Sequence, residues 1–276
     1  MPPLNIAIVV VIGLLGLLVG SFLNVVIYRV PRGASVVSPS SACPNCDARI
    51  KPWDNIPVLS WVVLRGRCRA CSHPIAVRYP VVELSTGLLF AAAALRFSQP
   101  LDIPATALVA TAVLLVAYLY FAAISVALTA IDLDTHKLPN VIVLPAYGVV
   151  AALLIVTSAV YGDFSLLPRA AVGGGVLFAA YLAMALLYPG GMGFGDVKLA
   201  GVIGLLLGYL GWGTLVVGAF SAFLLGGLFG VALLVFRKAG RKTGIPFGPW
   251  MLAGAWIGIF IGERIWNGYL GLFQLA

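Results

Sequence analysis

The sequence has few charged residues, and this scarcity excludes a soluble globular protein. Only 9% of its 276 residues are Asp, Glu, Lys or Arg, whereas 62% are hydrophobic. The mean hydropathy is +1.07. A soluble domain could not bury that much apolar surface. The composition therefore predicts a polytopic integral membrane protein.

The first apolar stretch lacks two features of a cleaved signal peptide. No basic residue precedes it and no small-residue cleavage site ends it, whereas Arg29 and Arg32 follow it directly. We therefore expect residues 1–28 to be a retained transmembrane anchor with its N terminus outside the cytoplasm.

Apolar stretches of about 20 residues, enough to cross a hydrocarbon core of about 30 Å, recur along the chain. Because backbone polar groups cannot remain unpaired in lipid, these spans should be helices. The predicted fold class is therefore all-α, with about eight transmembrane helices and one polar loop domain. The predicted spans are 5–28, 80–98, 105–130, 139–161, 168–189, 198–211, 213–236 and 249–270.

Eight spans place most basic residues on the cytoplasmic side. Only Arg96, Arg169 and Arg264 of the 17 Lys and Arg residues would lie outside, and a basic group at 237–242 would lie inside. The positive-inside bias explains most of the +8 net charge, so membrane lipids and no nucleic acid are the expected partners. The loops that begin at Asp132 and end at Asp196 would both open on the cytoplasmic face, where the two aspartates could meet.

Cysteine is confined to the polar segment 29–79, in two Cys-x-x-Cys pairs. Each pair can place two thiolates around a tetrahedral ion, and a small loop with little core would gain folding free energy from the metal. A disulfide-bonded loop or a redox pair would need an oxidising compartment or a thioredoxin-like context. We therefore predict a structural zinc site, with His73 as a solvated neighbour. Its ligands would be Cys43, Cys46, Cys68 and Cys71.

Two aspartates lie at the edges of long apolar runs, Asp132 and Asp196. A charge at the middle of a bilayer costs roughly 2.5 kcal/mol or more, so such groups indicate function. Asp196 could simply cap the helix that follows it. Asp132 ends a helix, where the helix dipole disfavours a negative charge, and Asp134 competes with it for the same role.

Paired carboxylates in a partly dry site cannot both ionise, so one holds a proton while the other remains a base. Such a pair can activate water for peptide hydrolysis without a covalent intermediate. Gly193 and Gly195 permit positive φ and close approach of an extended substrate backbone. The carboxylates alone also fit an ion-coupled transporter, in which Asp132 and Asp196 would bind protons or cations. A non-catalytic zinc scaffold is a third alternative.

Several segments together resemble the prepilin peptidase family, also called type IV leader peptidases, which are membrane aspartic proteases of the Gly-x-Gly-Asp type. Two departures from the family pattern are Tyr28, where His is expected, and Asn140, where Asp is expected. The resemblance covers residues 20–32, the cysteine loop with Ile56-Pro57, residues 64–68 and 78–83, Ile131-Asp132, Pro139-Asn140 and residues 193–198.

The resemblance implies that Asp132 and Asp196 are the catalytic pair, which selects Asp132 over Asp134. It also implies cleavage of the basic leader of prepilins or pseudopilins on the cytoplasmic face of the bacterial inner membrane. Residues 80–276 would then form the peptidase domain, 29–79 the cytoplasmic zinc loop and 1–28 the anchor.

Members with a tetracysteine loop also often N-methylate the new terminal residue with S-adenosylmethionine. The resemblance implies this second activity here and suggests Gly66 and Glu83 as contributors. The sequence lacks a strand, Gly-rich turn and helix unit of the nucleotide-binding kind, because Gly173-Gly174-Gly175 lies inside an apolar span.

The polar loop is itself basic, although the expected substrate leader is basic too. We hypothesise that Asp134 and Glu83 attract the leader, while the loop arginines face anionic headgroups or a substrate carboxylate. Lys198 and His136 are expected to support the site and tune the carboxyl pair. Interfacial snorkelling explains Lys198 equally well.

Overall fold

The computed structural model describes residues 3–98, 103–188, 191–236 and 246–272. Within these ranges the chain is helical, without an extended strand, and a π-helical turn, Gly258–Gly262, joins the last two helices. The helices are α1 Pro3–Arg29, α2 Leu59–Val63, α3 Arg78–Arg96, α4 Ala105–Thr135, α5 Asn140–Tyr161, α6 Leu166–Leu187, α7 Phe194–Leu210, α8 Trp212–Val235, α9 Gly248–Ile257 and α10 Glu263–Leu272.

Each predicted span coincides with a helix or with the continuous α9 to α10 segment, so the all-α prediction is confirmed. In the part of the chain that the structure describes, five helices are long and apolar enough to cross a membrane: α1, α4, α5, α6 and α8. The predicted count of eight is not confirmed, because α3 is not among these helices, α7 has only 17 residues and α9 and α10 have 10 each. The predicted basic group at 237–242 and the end of the span 168–189 lie outside the described residues.

One compact unit comprises the described residues within Met1–Pro100 and Tyr118–Ala130. Its helices α1 and α3 pack closely, because a methyl group added at Gly16 would lie 2.7 Å from Cβ of Phe90. A methyl group at Gly20 would lie 2.7 Å from Cα of Glu83. Small residues at a helix crossing allow this backbone approach, as in other membrane bundles.

The second unit comprises the described residues within Leu101–Ala117 and Ile131–Ala276. Helices α6 and α7 cross where Gly173 and Gly204 face each other, and a Cβ at Gly204 would collide with the carbonyl oxygen of Gly173. Arg169 donates hydrogen bonds to the carbonyl oxygens of Gly208 and Tyr209, which satisfies the last turn of α7. The helix that carries Asp196 is therefore firmly packed along its length.

Asp132 lies near the end of a helix, as predicted, whereas Asp196 lies on a helix, which corrects the prediction that it ends a connecting loop. Helix α4 continues past Asp132 to Thr135 and ends at His136, whose left-handed conformation stops the helix. Helix α7 begins at Phe194, so Asp196 is in its first turn. The prediction ended α4 at 130 because apolar character stops there, whereas a hydrogen-bonded helix continues through polar residues.

Candidate active site and metal centre

Asp132 is buried near the C-terminal end of α4, in the second unit. Its Oδ2 accepts a hydrogen bond of 3.1 Å from the backbone N–H of Gly248. A buried carboxylate needs such partners, since burial without them costs several kcal/mol. The Gly248 N–H thus offsets the unfavourable helix dipole that acts on Asp132 near the C terminus of α4.

Asp134 is exposed, unlike Asp132. Two residues along a helix turn the side chain by about 200° around the axis, so the two carboxylates face opposite sides of α4. The buried position is the one that the family resemblance selects. Asp134 and His136 instead lie on the exposed surface at the end of this helix.

Asp196 is half-buried, and its Oδ2 accepts a hydrogen bond of 3.2 Å from the N–H of Gly193. The predicted capping of α7 is therefore present, but the side chain reaches back from the third helical position. Asp196 lies outside the five apolar helices. Burial and the negative charge of Asp132 raise the pKa of Asp196 to about 6, although the Gly193 N–H opposes this.

The side chain of Leu138 connects the segments that hold the two aspartates. A methyl group at Gly195 would lie 3.0 Å from Cβ of Leu138. A methyl group at Gly248, the donor to Asp132, would lie 3.3 Å from Cδ2 of the same leucine. The structure therefore brings the regions around Asp132 and Asp196 together, and the effect of one charge on the other pKa agrees with this.

The two glycines before Asp196 do not use positive φ, contrary to one reason given for their presence. Gly193 is the residue before α7, with φ −78° and ψ 146°, and Gly195 is helical. Gly195 instead provides space, since any Cβ there would press on Leu138. Close packing, not unusual backbone conformation, explains this glycine.

Lys198 contacts α5 beside the two aspartates. Its Nζ donates a hydrogen bond of 3.0 Å to Oδ1 of Asn140, and its carbonyl oxygen accepts one of 2.6 Å from the hydroxyl of Tyr147. The contacts join the N-terminal end of α7 to α5. The supporting role of Lys198 in the active site stays a prediction.

Sequence reasoning missed an aromatic group that packs beside the Gly248 donor. The ring of Phe247 lies 5.4 Å from that of Phe223 and 6.3 Å from that of Tyr181. Tyr181 is buried and lies within electrostatic range of Asp196. The available signal was the sequence Pro246-Phe247-Gly248-Pro249, in which two prolines flank a glycine just before the last apolar stretch.

The four cysteines form one cluster in the first unit. Their Sγ atoms all lie within 4.8 Å of one another, and those of Cys43 and Cys71 are 3.8 Å apart. A tetrahedral ion with bonds of about 2.3 Å to sulfur requires edges of about 3.8 Å, so the thiols fit zinc. The cluster is in position to hold a metal ion, and His73 is exposed outside it.

The two halves of the cluster have the same backbone structure. Cys43 donates from its N–H to the carbonyl of Ala48, and Cys68 does so to the carbonyl of His73, each five residues on. The N–H of Asp47 donates a hydrogen bond to the carbonyl of Cys43, and the N–H of Ser72 donates one to the carbonyl of Cys68. Asp47 and Ser72 both have positive φ. We call each Cys-x-x-Cys turn with these hydrogen bonds a knuckle. The two knuckles together direct the four thiols toward one point.

An ion pair fastens the second knuckle to the loop. Arg69 donates bidentate hydrogen bonds to Asp54, with the shortest N–O distance 2.6 Å. The Arg69 guanidinium lowers the pKa of Asp54. Because the arginine is half-exposed, the pair orients the loop more than it stabilises it.

Glu83 and Gly66 both support the segment that contains α2. Oε2 of Glu83, which is buried, accepts a hydrogen bond of 2.7 Å from the N–H of Val58. Gly66 has φ +65° after α2, and a Cβ there would lie 2.9 Å from the ring of Trp61. The two residues therefore hold the ends of this short helix.

Two family models match the chain. The model of the type IV leader peptidase family matches residues 119–231, and that of the bacterial peptidase A24 N-terminal domain matches residues 14–97. A prepilin leader peptidase/N-methyltransferase of Stutzerimonas stutzeri is 34% identical over 95% of this chain and 93% of its own. The chain belongs to the type IV leader peptidase family.

Other leader peptidases are similar over comparable lengths. The prepilin leader peptidase/N-methyltransferase of Aeromonas hydrophila is 36% identical over 94% of this chain and 93% of its own. That of Bacillus subtilis (strain 168) is 32% identical over 92% and 95%. No solved structure shows significant similarity to the chain. The transporter alternative receives no support from the leader peptidase matches.

Proposed function

We propose that this protein cleaves the basic leader from prepilins or pseudopilins and N-methylates the new terminal residue. The single observation that carries the proposal is that the segments of a buried Asp132 and of Asp196 pack against the same residue, Leu138, in a chain of the leader peptidase family. We place the site at the cytoplasmic face of the bacterial inner membrane, where the junction of a leader and an apolar substrate helix would lie.

In the proposed reaction the carboxyl pair shares one proton. The ionised member takes a proton from water as the water attacks the scissile carbonyl, and the protonated member donates to the developing oxyanion. The proton taken from water then passes to the leaving amine as the C–N bond breaks, and a hydroxyl of the tetrahedral diol returns its proton to the other carboxylate. We assign the proton to Asp196, whose pKa burial raises to about 6, and the role of the base to Asp132, whose carboxylate accepts the N–H of Gly248.

Substrate attraction is proposed to use the exposed carboxylate of Asp134. Its position at the end of α4, two residues from Asp132, would place a positive leader next to the cleavage site. The buried Glu83 is engaged by the Val58 N–H, so it fits attraction of the leader poorly and orientation of the α2 segment better.

The methyl transfer is proposed to involve the first unit, with Gly66 and Glu83 as contributors through the α2 segment that they hold. S-adenosylmethionine would supply the methyl group to the new terminal amine. The four cysteines are proposed to bind zinc, which would hold the two knuckles of the loop together.

Mass spectrometry of a prepilin incubated with detergent-purified protein and S-adenosylmethionine tests the proposal. We expect cleavage of the leader and an added methyl mass on the mature product. Asp132→Asn and Asp196→Asn should each lower cleavage by at least about 10³-fold, because either change removes a group that acts in the transition state.

Asp134→Asn is the matched control, since it removes a carboxylate from the exposed side of the same helix turn. It should retain kcat, while KM for a basic leader rises because the attracting charge is lost. If well-folded wild-type protein leaves every prepilin tested intact, or if either dyad variant cleaves at the wild-type rate, the proposed function is wrong.

A further inference from the structure

The start of α9 contains one unusual donor. Trp250 and Met251 donate from their N–H groups to the carbonyl of Phe247, and Pro249 has no N–H. Gly248 is therefore the residue in this first turn whose N–H has no backbone acceptor among the described residues, and it donates to Asp132 instead. The unpaired N–H at the start of α9 and the buried carboxylate of Asp132 thus supply each other's hydrogen-bond partner.

We propose that Gly248 is a positioning residue that holds Asp132 ionised and aimed as the base of the carboxyl pair. The inference rests on the proposed peptidase function. A carboxylate that accepts a backbone N–H at a helix N terminus gains a charge-assisted hydrogen bond and a favourable helix dipole. These offset the unfavourable dipole at the end of α4, where Asp132 lies.

A side chain at position 248 would displace the carboxylate of Asp132. A Cβ there would lie 2.7 Å from Oδ2 and 3.4 Å from Cγ of Asp132, closer than real Cβ contacts allow for the oxygen. The carboxylate would have to turn away or the helix would have to shift. Glycine thus allows the N–H to reach hydrogen-bonding distance of the carboxylate.

Packing fixes the direction of this N–H. Phe247 contacts Phe223 and Tyr181, and its ring occupies the space beside Gly226, where a Cβ would lie 2.7 Å from it. Pro246 and Pro249 restrict φ on both sides of the donor. The donor is therefore set by the tertiary structure before substrate binds, as a preorganised site requires.

Among the described residues, the charged groups near this carboxylate include His136 on the same helix and Asp196 on α7. Helix α9 contributes no charged side chain, only the N–H and dipole of its first turn. Loss of this donor should therefore move the acidic limb of the pH–rate profile to higher pH, because the ionised base is less favoured.

The test compares the purified wild-type full chain with Gly248→Ala, Asp132→Asn and Gly175→Ala, in cleavage of a prepilin from pH 4 to 9. Gly175 is a helical glycine with open space around its Cβ position, so its variant controls for the glycine-to-alanine change. We expect Gly248→Ala to lower kcat at least about 10²-fold, with KM within about threefold and the acidic limb displaced to higher pH. Gly175→Ala should match the wild type.

Wild-type kcat and pH profile in Gly248→Ala, with Asp132→Asn inactive, would overturn this inference and leave the proposed function intact. An inactive wild type would overturn both. If the alanine variant fails to fold, an amide-to-ester exchange at position 248 removes the N–H without adding a side chain. An unchanged acidic limb in that ester protein would also overturn the inference.

Discussion

Lys198 donates a hydrogen bond from Nζ to Oδ1 of Asn140, which joins the N-terminal ends of α7 and α5. The partners are 58 positions apart in the sequence. An aspartate is expected at position 140 from the family resemblance, so this chain has a charge-assisted hydrogen bond to a neutral amide where an ion pair would otherwise form. The contact positions the turn that carries Asp196.

Replacing Asn140 by Asp should therefore have little effect. The new ion pair would be solvent-exposed and would add about 0.2–1 kcal/mol at most, so cleavage should stay within about threefold of wild type. Initial rates and thermal unfolding of the detergent-purified variant test this, with Asn140→Ala as the variant that removes the contact. A tenfold loss in Asn140→Asp would show that charge at this position acts on the carboxyl pair.

The pH profile of cleavage should report the raised pKa of Asp196. As the proposed acid, Asp196 is competent below its pKa of about 6 and loses its proton as the pH rises through that value. We therefore expect kcat/KM to fall on the alkaline side with a midpoint near 6, well above the usual range for aspartate. A profile that stays flat from pH 5 to 9 would exclude Asp196 as the acid.

Zinc should be bound stoichiometrically by the four cysteines. We expect about one zinc ion per chain by elemental analysis, and its loss in Cys68→Ser, because three thiolates no longer close the tetrahedral site. His73→Ala should keep the metal, since His73 lies outside the sulfur cluster. Zinc retained in full by Cys68→Ser, or four thiols freely alkylated in the native protein, would contradict a four-cysteine site.

Glu83 should affect methylation more than cleavage. In Glu83→Gln the amide oxygen can still accept the Val58 N–H, but the charge is lost. We expect the methylated fraction of product to fall at least about tenfold, with cleavage within about threefold.

Glu263→Gln is a matched control, because Glu263 accepts the N–H of Thr214 in the other unit. It should leave the ratio of methylated to unmethylated product unchanged. Equal loss of both activities in Glu83→Gln would indicate a purely structural role for Glu83.

Charge reversal at Asp134 should weaken recognition of a basic leader. Asp134→Lys places a positive charge on the exposed side of α4 close to the proposed cleavage site, so KM for a lysine-rich leader should rise several-fold while kcat changes little. A substrate whose leader lysines are replaced by glutamine should show a smaller effect. An unchanged KM for the lysine-rich leader would remove Asp134 from recognition.

The helices were predictable because long apolar stretches leave the backbone no alternative to internal hydrogen bonding in lipid. The ends of these helices were harder to predict. The prediction ended α4 before Asp132, because hydropathy marks where a helix leaves lipid, not where its hydrogen bonds stop. The left-handed residue that ends α4 is His136, which is not a residue type that signals a helix end strongly.

The sequence by itself determined the all-α membrane class, the two cysteine pairs spaced to hold a metal ion and the two unusual aspartates. Charge is costly in apolar surroundings and thiol spacing limits metal geometry, so these features can be read from residue types alone. Only the tertiary structure decided that Asp132 receives the N–H of Gly248, which is 116 positions away. Almost every residue carries a backbone N–H, so no residue type marks the one that packing directs at a carboxylate.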